Sequence, residues 1–492
     1  MSLDEMLLFG AIMVLAAALA ARLGARLGLP SLLLFLALGL SLELIGIRMT
    51  DAALAHALGF AALVFILAEG GFTTRWVDIK GSLSIAGLLA TVGVAVSIAL
   101  VALFCHLVLG VAVPTAVLIG AITAPTDSAA VFSVLRGLHL PARVRSVLEG
   151  ESGLNDAPIV LLVGVATAWS MGELPEGGAV VIAATVVAEL VGGILVGLVI
   201  GFVGAAVLRR VALPASGLYP LSAMAVAVLA YGLGVALHVS GFAAVYVAAV
   251  VLGNSRLSHR NATRSFAEGV GWIAQIGLFV MLGMLASPER LTWQMAFEGL
   301  LVGAVLTFVV RPVSVFASSV WFGVPWREQA FIAWAGLRGA VPIIMATVPL
   351  AAGAPAAATI FEEVLVFVVV FTLLQGPTLP WVARLLNISS DEAVDIGVEV
   401  APLDRIQSDF MQIRVPVGSR LHGVTVRELR LPKFTVIAVI LRGGEPLAVG
   451  PMDRINQGDE LMVVVPSHLR DAVEQQIHAI GRGGRLARWL DE

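Results

Sequence analysis

Three short polar stretches interrupt long apolar runs in this 492-residue chain: Thr126-Asp127, the segment Glu151-Ser152-Gly153-Leu154-Asn155-Asp156, and Arg338. Asp127 stands nine residues before Arg136, Asp156 eleven after Arg145, and Arg338 eleven after Arg327. At a helical rise of about 1.5 Å per residue, all three lie roughly 14–16 Å from the nearest loop charge, near the middle of a hydrocarbon core about 30 Å thick. A charge at that depth costs at least about 2.5–3.5 kcal/mol on insertion scales, so such residues mark ion pathways or have partners. Desolvation disfavours the charged form of any buried carboxylate, so it holds a proton or exchanges it for a cation. Glu151 is shallower, about 9 Å by the same rise. It stands four residues from Asn155, on the same helix face. A midplane guanidinium needs a partner, and Glu151 is the natural one for Arg338. The alternative readings are a kink capped by Asp127, a structural polar cluster and a purely structural ion pair. Convergence of three helices at one depth favours an ion site.

The backbone around these residues is interrupted as well. Pro125 precedes Thr126, and Gly336, Gly339 and Pro342 surround Arg338. Proline removes a helical hydrogen bond. Helices broken at membrane depth offer dipole ends and free carbonyls to ions. No nucleotide-binding loop, His-Glu-x-x-His or nucleophile elbow is present. Nothing points to hydrolysis or an enzyme, and an ion gradient is the remaining drive. No cofactor is expected.

The elements that must position these groups follow from composition. Hydrophobic residues make up 59% of the chain and charged ones 13%, with a mean hydropathy of +0.97. That excludes a soluble enzyme, a nucleic-acid binder and a disordered protein, because a soluble surface cannot be this apolar. Thirteen apolar segments are long enough to be membrane spans, near 6–22, 30–47, 54–72, 84–110, 114–135, 146–171, 178–208, 215–238, 240–255, 267–286, 293–320, 328–352 and 359–386. With the N-terminus outside, inner loops carry Arg22, Arg26, Arg75, Lys80, Arg136, Arg143, Arg145, Arg209, Arg210, Arg256, Arg260, Arg264, Arg327 and Arg384, and outer loops only Arg48 and Arg290. This matches the positive-inside rule and puts the C-terminus in the cytoplasm. The acidic start, Asp4-Glu5, lacks the basic region of a signal peptide, so the first span is expected to be retained. The fifth and twelfth segments carry the breaks. Seven segments apart, they cross in opposite senses, as in an inverted repeat. The expected fold is an all-α polytopic membrane protein of 13 transmembrane helices with inverted repeats and two broken helices, covering residues 1–387. One cysteine, Cys105, rules out an internal disulfide and a cysteine metal cluster.

Residues 388–410 are polar and acidic and read as a linker. Residues 411–492 read as a small α+β cytoplasmic domain with a tail. Its strands are expected at 411–417, 435–441 and 460–465, the last two buried, with helices at 426–429 and 468–477. A core this small often needs a partner, so a dimer is expected. Secondary candidates in the membrane part are Glu69, read as structural, and His106 and His238, read as hydrogen-bonded histidines. Arg311 has no assigned role, because its depth depends on where the eleventh segment begins.

The segments Ala124-Pro-Thr-Asp-Ser-Ala-Ala-Val131, Glu151-Ser-Gly-Leu-Asn-Asp156 and Gly336-Leu-Arg-Gly-Ala-Val-Pro342 resemble the signature segments of the monovalent cation:proton antiporter 1 family. Ala129-Ala-Val-Phe-Ser-Val-Leu-Arg-Gly137 is similar to potassium/proton antiporters of the cell-volume-regulation type. The phrases 417–429 and 458–464 resemble the RCK (TrkA-C) domain. The resemblance implies that Asp156 is the shared cation and proton carboxylate. Asn155 stands where electrogenic relatives have a second Asp, which implies electroneutral one-for-one exchange. Thr126, Asp127, Glu151 and Ser152 would line the ion site, and Arg338 would pair with Glu151. A homodimer in a bacterial-type inner membrane is implied, with a dimerisation part and a moving six-helix core. A nucleotide or other small ligand is implied for the RCK-like domain. Two departures from the family pattern are Ser128, where a proline is common, and the short tail. The cation is K+ in the favoured reading and Na+ in the alternative. A sodium-driven solute symporter and a gated channel are more distant alternatives.

Overall fold

The computed structural model describes residues 3–27, 29–127, 140–173, 178–211, 213–255, 257, 259–388, 398–403, 408–416 and 418–483. The chain divides into two compact units, Met1–Ser390 and Asp391–Glu492.

Each of the thirteen apolar segments holds a helix in the first unit. They are α1 Leu3–Leu27, α2 Ser31–Leu44, α3 Ala52–Thr73, α4 Leu83–Leu107, α5 Val113–Thr123, α6 Ala142–Ser170, α7 Gly178–Arg210, α8 Leu218–Ala236, α9 Gly241–Asn254, α10 Arg260–Leu285, α11 Trp293–Phe322, the pair α12 Trp326–Ala335 and α13 Ala340–Ala351, and α14 Ala357–Leu385. Among the described residues, eight helices are long and apolar enough to cross a bilayer, nine if the pair α12–α13 is one span. The expectation of thirteen spans is therefore not met by helix length alone. The 11-residue α5 and the 14-residue α2 and α9 fall short of the roughly 20 residues a perpendicular crossing takes.

Two groups of helices pack within this unit. In one, α2 and α3 lie against α10, α3 against α9, and α7 and α8 against α9. In the other, α4 lies against α5 and α6, α5 against α6, and α14 against α11 and α13. The α3–α13 and α6–α9 contacts join the two groups. The described part of the fifth segment ends its helix at Thr123, two residues before Pro125. Residues 128–135 of that segment, with Ser128, and Arg136 lie outside the described residues. The twelfth segment breaks between Ala335 and Ala340 with a 51° bend, where the Gly-Leu-Arg-Gly tetrapeptide replaces helix formers. Helices α4 and α11 each contain a π turn, Leu89–Gly93 and Leu306–Val310. These two lie seven segments apart, like the two breaks.

The second unit is a five-stranded antiparallel sheet in the order β1-β2-β5-β3-β4. Its strands are β1 Val398–Leu403, β2 Ser408–Arg414, β3 Val436–Arg442, β4 Glu445–Leu447 and β5 Glu460–Pro466. The stretch 388–410 is not wholly linker, because β1 lies in it and pairs with β2 from Val398↔Ile413 to Leu403↔Ser408. Its alternation is masked in the sequence by acidic neighbours. Strands β3 and β5 are not buried on both faces as expected. β5 alternates, with Leu461, Val463 and Val465 inside, while β3 shifts register at a bulge between Ile437 and Val439, so that Ile437 and Ile440 face inside. One face of the sheet meets the core with Met411, Ile413, Val473 and Ile477, the last two from α15, Arg470–Gly483. The expected helix at 426–429 is a single 3-10 turn whose start is capped reciprocally by Thr425 and Glu428.

Candidate ion-binding site

The two interrupted segments meet each other. Beyond Thr123 the chain runs unwound through Ala124 to Asp127, leaving helix-end carbonyls and amides to find partners elsewhere. The Asp127 amide donates to the Leu337 carbonyl (2.9 Å). The Arg338 Nε donates to the Thr123 carbonyl (3.1 Å). The Asp127 Oδ2 accepts from the Ala340 amide (2.6 Å), at the start of α13. A carboxylate on a helix N-terminus satisfies an orphan donor and complements the dipole. Gly339 makes this possible, for an added Cβ would collide with Asp127 Oδ2.

Helix α6 supplies the other face. Asn155 Nδ2 donates to Thr126 Oγ1 (2.9 Å), and the Thr126 and Ser152 hydroxyls share a 3.1 Å hydrogen bond. This tie fixes the unwound segment against α6. Asp156 is 2% exposed, and its Oδ1, like Asn155 Oδ1, is buried with no hydrogen-bond partner among the described residues. Buried polar atoms are almost always satisfied, so two such oxygens from adjacent residues point to a guest. Asp156 and Asp127 line one cavity with Ala340, Val341 and Ile344 of α13, Leu63 and Ile66 of α3, and Gln275 and Phe279 of α10. The cavity lies between the two helix groups. Oxygen-only donors, two of them carboxylates, suit a hard cation or a proton.

Thr126, Asp127, Ser152, Asn155 and Asp156 thus lie together. Glu151 is not part of that cluster, and its expected pairing with Arg338 does not form. Arg311 holds Glu151 instead, by a two-pronged contact of 2.5 and 2.7 Å, with both side chains buried. The π turn Leu306–Val310 ends immediately before Arg311. Such a turn inserts an extra residue and rotates the helix beyond it. Gly336 clears the space, since a Cβ there would fall 2.5 Å from Arg311 Nε. Arg338 gives its Nε and Nη1 to backbone at the breaks, the Thr123 and Gly336 carbonyls, and its own carbonyl accepts from Thr372 Oγ1 at 2.5 Å. Arg311 carried a signal in the sequence, a charge inside a long apolar run. Gln275 carried one too, as a polar residue eleven positions beyond Arg264. Neither is singled out by motif spacing.

The family profile described as "Sodium/hydrogen exchanger, transmembrane" matches residues 11–385, and the TrkA-C domain profile matches residues 410–478. The K(+)/H(+) antiporter NhaP of Alkalimonas amylolytica is 35% identical over 85% of this chain and 73% of its own. The K(+)/H(+) antiporter NhaP2 of Shewanella oneidensis is 31% identical over 94% of this chain and 81% of its own. The solved structure of the sodium proton antiporter MjNhaP1 from Methanocaldococcus jannaschii at pH 8 matches with a TM-score of 0.65 at 23% identity. It covers 79% of this chain and 99% of that one, a likeness of fold. The chain belongs to the sodium/hydrogen exchanger family, multi-pass membrane transporters, and carries a C-terminal TrkA-C domain.

Proposed function

We propose that this protein is a secondary antiporter that exchanges K+ for H+ at Asp156. The observation that carries this reading is the buried Asp156 oxygen left without a partner among the described residues, in a cavity it shares with Asp127. A carboxylate in that position binds one guest at a time, a proton or a monovalent cation. Thr126, Ser152 and Asn155 position the unwound segment beside it. Asp127 holds the α13 terminus and supplies a second carboxylate to the cavity. The single Asp beside Asn155 gives one-for-one exchange that moves no net charge, so the membrane potential contributes no drive; an uncompensated charge would carry about 2.3 kcal/mol per 100 mV. Alternating access is achieved if the group containing α4, α5, α6 and α11–α14 moves against the other, since the cavity lies between them. The Glu151–Arg311 pair is then internal to the moving group and stays intact.

The potassium assignment rests on the two relatives whose names carry K(+)/H(+) and on the TrkA-C domain. The oxygen ligands suit sodium equally, and Na+/H+ exchange at the same site is the second reading. The thirteen-crossing topology with an outside N-terminus and cytoplasmic TrkA-C domain, the homodimer and a small regulatory ligand for that domain, such as a nucleotide, belong to the same proposal. The test is dye-reported proton release from acidified everted vesicles on addition of potassium, sodium, lithium or choline salts. A potassium response that disappears in Asp156→Asn supports the reading. A sodium-only response changes the cation, and an undiminished response in Asp156→Asn overturns the mechanism.

A further inference from the structure

The cavity at Asp156 has two walls of different chemistry. The wall from the α6 and α13 side carries both carboxylates. The facing wall, from α3 and α10, is Leu63, Ile66 and Phe279 with one polar member, Gln275. Gln275 is 9% exposed, and its amide makes no hydrogen bond among the described residues. A primary amide in an otherwise apolar wall is disfavoured unless it meets a partner, so its place at the cavity calls for one. Its depth agrees with a role at the site. Gln275 stands eleven residues after Arg264, as Asp156 stands eleven after Arg145, and eleven helical residues rise about 16 Å.

We infer that Gln275 is a specificity-determining ligand on the opposite wall: its Oε1 completes the oxygen shell of the cation bound at Asp156 and accepts the hydrogen bond of Asp156 when it is protonated. The inference rests on the antiport reading and adds the residue that tells one cation from another. A neutral amide oxygen replaces a hydration water without adding charge, so the charge balance of one-for-one exchange is kept. The same oxygen serves both occupancies, because a carboxylic O–H and a cation present the same need for an acceptor. A longer reach across the cavity favours the larger cation, which keeps contact with both walls. Because Gln275 belongs to the group that does not carry Asp156, its contact exists only while the two walls face each other. The occupied carboxylate is thereby distinguished from the empty one at the moment the walls separate.

The experiment measures half-saturating concentrations of potassium, sodium and lithium, and rates at saturation, for the full chain in proteoliposomes. Wild type is compared with Gln275→Leu and Gln275→Glu, each checked for folding by thermal melting. Loss of one hydrogen bond or ligand contact to a charged group corresponds to about a tenfold change in half-saturation. The expected result is that rise for potassium in Gln275→Leu, a smaller rise for lithium, and a rate at saturation that is kept. Gln275→Glu retains an oxygen ligand, so it keeps potassium affinity and moves the pH profile upward, because an added negative charge favours the proton. Equal shifts for every cation, or a lower rate with unchanged half-saturation in both variants, means a structural role and overturns the inference. Should Gln275→Leu fail to fold, Gln275→Glu alone decides: an unmoved pH profile overturns it. Absence of cation-dependent proton release in the wild type overturns the antiport reading itself, a different failure.

Discussion

Glu151 and Asp156 stand on the same helix, α6, five residues apart, and both are buried, yet their surroundings are opposite. Glu151 has both oxygens held by one guanidinium, with short, parallel contacts. Asp156 has an oxygen with nothing to accept from among the described residues. A buried charge that is fully paired has reached its final state, and changing its occupancy only does harm. A buried carboxylate that is left open is held by surrounding structure in a condition it would not choose alone, which is the signature of a site that expects a guest. Pairing, rather than burial or depth, separates the two roles.

The sharpest way to break that distinction is to neutralise each residue. On the proposed mechanism Asp156→Asn removes the exchangeable group, and cation-driven proton release falls by at least about a hundredfold. The same substitution leaves thermal stability unchanged or raised, because it removes a buried charge whose Oδ1 has no partner among the described residues. A melting temperature that drops steeply in Asp156→Asn would place it in the same class as Glu151. Arg311→Leu does the reverse. It strands Glu151 and costs about 3–5 kcal/mol, read as a loss of folded protein in detergent. The double variant Glu151→Gln with Arg311→Leu recovers part of the loss. A double-mutant cycle of Glu151 with Arg311 gives strong coupling and one with Arg338 weak coupling; comparable values for the two would contradict the observed pairing.

The site is legible in the sequence to the extent that depth and helix period determine it. Counting from Arg145 and Arg327 brings Asp156 and Arg338 to one level, and Pro125 with Gly336 and Gly339 marks the breaks. The hydrophobic runs also place a helix on each of thirteen segments. What the count cannot carry is rotation. A π turn before Arg311 turns that side chain toward Glu151, and the sequence Leu306 to Val310 gives no sign of it. A rule that considers depth and not azimuth therefore gives the ion pair to the wrong arginine. Gln275 is passed over for a different reason, because its signal, one uncharged polar residue in an apolar run, is weaker than that of a charge at the same depth. In the second unit β1 is hidden because acidic residues surround a short strand, and pairing with β2 decides its conformation more than its own composition does.

A smaller perturbation tests whether the open carboxylate depends on the break. Gly339→Ala drives a methyl group into the Asp127 carboxylate, which must leave the Ala340 amide. Exchange activity falls by about tenfold, the size of one charge-assisted hydrogen bond, and half-saturation rises for every cation alike. Stability falls by about 1–2 kcal/mol as the cap is lost. Transport that is unaffected by Gly339→Ala would show that Asp127 does not need its place on α13 and would detach the break from the site.

The comparison extends to the TrkA-C domain, where a third buried carboxylate repeats the paired arrangement beside water. The Asp459 side chain is fully buried, while its partner Arg442 is 42% exposed. Arg442 Nε and Nη2 each donate at 2.9 Å, and the Asn456 amide donates at 2.7 Å. Burial raises the proton affinity of Asp459, but the hydrogen bonds from Arg442 and Asn456 outweigh it and hold its pKa below the ordinary carboxylate value. A group whose pKa is lower folded than unfolded stabilises the fold above its unfolded value of about 4, and that contribution is lost as pH falls through the lowered native value. Solvent at Arg442 screens the pair, so Asp459→Asn costs only about 1–2 kcal/mol at neutral pH. Hydrogen exchange on the full chain reads this directly: the amides of β3 and β5 lose protection below about pH 4 in the wild type, and Asp459→Asn, less protected at pH 7, shows a flatter pH dependence. An identical acid profile in the two proteins would remove Asp459 from the set of paired carboxylates and confine the comparison to Glu151 and Asp156 on α6.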